Sequence, residues 1–125
     1  MSLRPITFIA LLLTASVFPV LNGLAEETPP EDAETRVDNG LKEFGYQAGL
    51  AHGCVVDEQQ ADLAREAVDL HAAVSRLLGT DRAFLFSASF GYGTSVRVET
   101  GECAAILKRY EDRVAAFRQG KEQAQ

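Results

Sequence analysis

The sequence predicts a small all-α protein, an up-down four-helix bundle with one disulfide, preceded by an export leader. Three observations carry this. Apolar residues recur at spacings of three and four along most of the chain after residue 33. Turn and cap residues, Gly53-Cys54, Gly79-Thr80 and Thr100-Gly101, separate those stretches. Cys54 and Cys103 are the only two cysteines, and they fall in the first connector and just after the third. An up-down-up-down topology brings those two connectors to the same end.

The first 25 residues read as a secretory signal peptide. Met1–Arg4 is short and basic, Ile6–Leu21 is apolar, and Gly23-Leu24-Ala25 supplies the small residues of a cleavage site. The competing reading is an uncleaved anchor, since a span needs about 20 apolar residues. Pro19, Asn22 and Gly23 weaken it, and no basic cluster follows. Cleavage after Ala25 would leave 100 of the 125 residues, enough for one domain. Export places the chain in the periplasm or outside the cell.

In such a compartment an even pair of cysteines forms a disulfide, so Cys54–Cys103 is expected to be bonded. A redox role lacks the C-x-x-C spacing that lowers a thiol pKa.

Charge narrows the partners. The chain has 12 Lys plus Arg against 18 Asp plus Glu, a net charge of −6. Loss of Arg4 with the leader makes the mature value −7. Nucleic-acid phosphates and anionic lipid would be repelled, so neither nucleic acid nor stable membrane association is expected after cleavage.

Residues 26–34 are acidic, contain Pro29-Pro30, and have little to bury, so a disordered lead-in is expected. The folded domain then covers 35–119, and 120–125 is a polar tail.

The first helix is expected from about Ala33 to His52, with Val37, Leu41, Phe44, Ala48 and Ala51 as its stripe. Gly45, Gly49 and Gly53 recur every fourth residue beside it. Interior glycine costs about 1 kcal/mol, so close helix packing is the expected compensation. Asp57, with Gln60 three residues on, looks like an N-cap for a second helix, Glu58–Leu78. Its stripe is Leu63, Ala67, Leu70, Val74 and Leu77. Gly79 suits the C′ position, and Thr80 can cap the next element.

The third segment is ambiguous. Phe84, Phe86, Ala88, Phe90, Tyr92, Thr94, Val96 and Val98 alternate as in a strand, and Gly91 with Gly93 could turn a hairpin over 83–99, giving α+β. An isolated hairpin is marginal, however. Phe90-Gly91-Tyr92 repeats Phe44-Gly45-Tyr46, and Ser87, Gly91 and Ser95 repeat the every-fourth small-residue ridge. A helix from about Arg82 to Ser95 is therefore expected. The fourth helix, about Glu102–Gln119, carries Cys103, Leu107, Tyr110, Val114 and Phe117, with Thr100 as cap.

Chemistry-bearing motifs are sparse. His52 and His71 with the two cysteines match no zinc spacing, and His71 should lie roughly 20 Å from the disulfide end. No metal, no cofactor and no enzymatic activity is expected. Glu58, Asp62, Glu66 and Asp69 share spacings of three and four, which reads as a solvated face interleaved with Arg65 and Arg76. The aromatics Phe84, Phe86, Phe90 and Tyr92 are the candidate partner or ligand site. On a helix they cannot all face one way, and those left outside would form a patch.

The leading functional expectation is thus a periplasmic protein that binds another protein, as an accessory, inhibitor or immunity factor. The outline (small, acidic, helical, exported, one long-range disulfide) is also similar to that of the small periplasmic acid-stress chaperones. That likeness is architectural and carries over no residues. A carrier of a small apolar ligand inside the bundle is the third expectation.

Overall fold

The computed structural model describes residues 29–123. The expected signal peptide and the expected cleavage site after Ala25 lie outside them, as do residues 124–125. Four helices are present among the described residues: α1 (Ala33–Gly53), α2 (Asp57–Leu78), α3 (Thr80–Ser95) and α4 (Cys103–Gln123), with a 3₁₀ turn at Thr100–Glu102. The hairpin alternative for 83–99 is overturned. Phe84 and Phe86 are two positions apart, about 200° around a helix, so an alternating pattern can also set one aromatic outside and the next inside.

Helix ends differ from expectation in detail. Asp32 caps α1, accepting from the Thr35 amide at 2.8 Å, so the last two residues assigned to the lead-in are helical. Asp57 is the first residue of α2 rather than its cap; Val56 holds that place with no side-chain bond. The Asp57 carboxylate still lies where the helix dipole favours an anion. Thr80 opens α3 after Gly79, whose φ of 97° suits a residue without Cβ. Thr100 starts the 3₁₀ turn, and Glu99 precedes it. Helix α4 continues through Gly120 to Gln123, so the expected tail is mostly helix.

Helix α1 packs against all three others. Its buried residues, Gly45, Ala48, Gly49 and Ala51, are all small, so the neighbours come close to its backbone. The tightest neighbour is α3, which runs parallel to it. Asp38 pairs with Arg82 at 2.8 Å, Gly45 lies against Phe86 and Phe90, and Gly49 lies against Gly93. Helices α2 and α4 form a second parallel pair, with Glu66 on Arg118 and Asp69 on Lys121. Helix α2 packs on both α1 and α3, and α4 packs on α1 while meeting α2 through these long side chains.

The core joins Ala48, Ala51, Ala67, Leu70, Phe86, Ile106, Tyr110 and Val114. Phe44 packs edge-on to Phe86, ring centres 5.5 Å apart, and lies 6.3 Å from Tyr110. Two stripe positions depart from expectation: Val37 is exposed near the start of α1, and Leu77, near the end of α2, is 80% exposed. The last turn of α2 extends beyond what its neighbours cover.

Cys54 and Cys103 are disulfide-bonded, with Cα atoms 5.3 Å apart. The bond ties the end of α1 to the start of its antiparallel neighbour α4.

Candidate functional site: the outward face of α3

The two small-residue ridges fare differently. A Cβ on Gly45 would strike the Phe86 carbonyl, and one on Gly49 would sit 2.7 Å from Gly93 Cα and 2.7 Å from Thr94 N. Gly53 meets only the Val98 side chain, at an ordinary 3.9 Å. The α1 glycines are thus the close-packing surface the sequence predicts, at Gly45 and Gly49. The α3 ridge is not their partner. A Cβ on Gly91 would meet nothing within 4 Å, and Ser95 is exposed. The α3 backbone that approaches these glycines is at Phe86, Phe90, Gly93 and Thr94. Ser87 faces α2, where its hydroxyl lies 2.6 Å from His71 Nδ1.

The aromatic site likewise splits. Phe86 is core at 1% exposure, and Phe90 is half-buried, with its ring edge-on to His52. Phe84 and Tyr92 are 67% and 66% exposed. Phe84, Ala88 and Tyr92 form an i, i+4, i+8 row on the outside of α3, with Ser87, Gly91 and Ser95 as the neighbouring row. No charged side chain occurs from Ala83 to Val96. Tyr92 leans toward α1 and stacks on Tyr46, ring centres 5.6 Å apart. Asn39, Lys42, Glu43 and Ala88 complete the shallow cleft beside that stack. The stacked rings thus sit at the edge of an uncharged strip, and the charged groups of the cleft, Lys42 and Glu43, are on the α1 side, with Ser89 of α3 opposite them.

The acidic residues of α2, expected to form a solvated face, hold a second feature. Glu66 is an anchor between α2 and α4. Arg118 donates to it through two nitrogens, at 2.7 and 2.8 Å, and the fully buried Tyr110 hydroxyl donates at 2.5 Å. A further Arg118 nitrogen reaches Glu111 at 2.7 Å. Desolvation pushes the Glu66 carboxyl up, but the bonds from Arg118 and Tyr110 outweigh it and hold it below its ordinary value. Burial and the adjacent Glu66 carboxylate raise the Tyr110 phenol well above its usual range. Asp62 and Asp69 do remain on the surface, paired with Arg65 and Lys121. The available signal was positional: Glu66 adjoins the Leu63–Ala67–Leu70 stripe.

Between α2 and α4 an apolar cleft is lined by Ala73, Arg76, Leu77, Phe117 and Lys121. Among the described residues, no cluster of three or more His, Cys, Asp or Glu could hold a metal, and no helix is long and apolar enough to cross a membrane.

No family model, curated protein or solved structure matches the chain.

Proposed function

We propose that this is an exported protein that works by holding a protein partner on the outward face of α3, as an accessory, inhibitor or immunity factor. One observation supports this above the others: an uncharged helix face that leaves two aromatic rings about two-thirds exposed. Exposed aromatics bounded by polar residues are the common signature of a docking surface. Small residues beside the rings would let a partner helix approach closely. Phe84→Asp tests the reading, because Phe84 supports no core contact and its loss should leave the fold intact. Capture of a partner by wild-type protein, lost in Phe84→Asp with an unchanged circular dichroism spectrum, is the expected result. Equal capture by both proteins refutes it.

A second reading, an acid-stress chaperone, draws on Glu66. Its carboxylate carries the α2–α4 contact and is held ionised by Arg118 and Tyr110. Protonation at low pH would weaken that contact and uncover Phe117 and Ala73. Binding of an apolar dye that rises reversibly on acidification would support it; native near-ultraviolet dichroism persisting at pH about 2, below the usual carboxylate range, would sink it. The carrier reading has no comparable support, since Phe86, Tyr110 and Val114 fill the bundle interior.

A further inference from the structure

We propose that the outward face of α3 is covered, at high protein concentration, by the same face of a second copy, the two α3 helices packed antiparallel across a two-fold axis near Ala88. This rests on α3 being the docking face, and it names the occupant. The argument is self-complementarity. A two-fold interface places the same patch on both sides, so every projection needs a matching recess within that patch. Here the larger row, Phe84–Ala88–Tyr92, runs beside the smaller exposed residues Gly91 and Ser95, Ser87 of the same row being turned toward α2. With the axis at Ala88, Phe84 of one copy comes opposite Tyr92 of the other. It also lies beside Gly91, where no atom lies within 4 Å of a Cβ position. Ridges from each copy thus enter the shallow groove of its mate.

Charge selects the same orientation. The uncharged stretch is bounded by Asp81 at its start and Arg97 just past its end. Among the described residues, neither is in an ion pair. Antiparallel packing brings each Asp81 toward the mate's Arg97, whereas parallel packing sets like charges together. Helix dipoles favour the antiparallel pair as well.

The area sets the strength. A buried aromatic contributes about 150–250 Å², so Phe84 and Tyr92 together offer roughly 260 Å² per copy, and with the small residues between them about 400 Å². A standard interface buries about 800 Å² per partner. The dimer is therefore weak and concentration-dependent, and a heterologous partner with a larger footprint can displace one copy. Self-association would then regulate access to the face.

Sedimentation velocity of the mature, oxidised chain from about 1 µM to about 500 µM, a range suited to an undersized interface, tests this. Wild type should pass from monomer to dimer. Phe84→Ser should stay monomeric, with unchanged circular dichroism. Asp81→Arg and Arg97→Asp should each weaken association by about 5-fold or more, and the double exchange should recover most of it. Monomer at every concentration overturns the proposal, as does a dimer indifferent to Phe84→Ser or to the charge exchange. Wild type that remains monomeric yet captures another protein in a Phe84-dependent way overturns only self-association. Failure of both assays overturns the docking face too.

Discussion

Gly49→Ala isolates the contact that sets the geometry of the bundle. The added Cβ would lie 2.7 Å from Gly93 Cα and 2.7 Å from Thr94 N, and closer still to the Phe90 carbonyl oxygen. Carbon contacts are ordinarily about 3.5–4.0 Å, so α3 must withdraw by roughly 1 Å. Every atom in the way is backbone, and no side chain can swing aside. Overpacking costs about 1–3 kcal/mol, and this site belongs at the upper end. Replacing glycine within a helix returns about 1 kcal/mol. The net expectation is a loss of about 2 kcal/mol, which for a domain of this size lowers the melting temperature by about 10 °C. Gly40→Ala supplies the control with the opposite sign: nothing lies within 4 Å of its Cβ position, so only the helical gain of about 1 kcal/mol remains. Guanidinium unfolding with the disulfide intact measures both. A Gly49→Ala protein as stable as wild type, or a Gly40→Ala protein equally harmed, would refute the account of α1 as a close-packing helix.

The other contacts set further outcomes. Replacing both cysteines by serine opens a 49-residue separation and should cost about 4 kcal/mol on the chain-entropy account, checked by denaturant titration. Glu66→Ala leaves the buried Tyr110 hydroxyl without an acceptor and Arg118 with only Glu111, and should cost about 2–3 kcal/mol, whereas Tyr110→Phe, which removes one bond and strands no buried donor, should cost about 1 kcal/mol. Because Glu66 titrates below its ordinary 4.5 in the folded state, its contribution is complete above that value and is lost as pH falls through the lower folded one. Stability of wild type should therefore drop faster than that of Glu66→Gln below pH 4.5, which parallel melts at several pH values would show. Asp32→Ala removes the α1 cap and should cost about 1 kcal/mol, with faster amide exchange in the first turn.

The positions of α1, α2 and α4 were legible in the sequence because three- and four-residue spacing survives in each of them, and Gly79 punctuates where it should. The disulfide was legible for a related reason, since helix order alone brings Cys54 and Cys103 together. The phase of α3 was not. A helix facing is read from where its charges lie, and between Ala83 and Val96 there are none. Two small-residue rows then compete, and the inward row, Ala83–Phe86–Phe90–Gly93, is masked by aromatics. Gly93, which a strand reading places in a turn, is the residue that meets Gly49. The candidate site was half legible: Phe84 and Tyr92 lie outside, while Phe86 and Phe90 belong to the core and its margin. Glu66 was hidden because its partners, Tyr110 and Arg118, are 44 and 52 residues away. No local spacing records an encounter of that kind.

The Cys54–Cys103 bond also changes what the chain is as a covalent object. Helices α2 and α3 lie wholly between the two cysteines, so they form a closed ring, and α1 and α4 leave it as two tails from one point. Unfolding can straighten the tails but cannot open the ring. The tails run side by side to the opposite end of the bundle, where α1 begins and α4 finishes. A tag joined to either described terminus would emerge there, leaving the cross-linked end unobstructed.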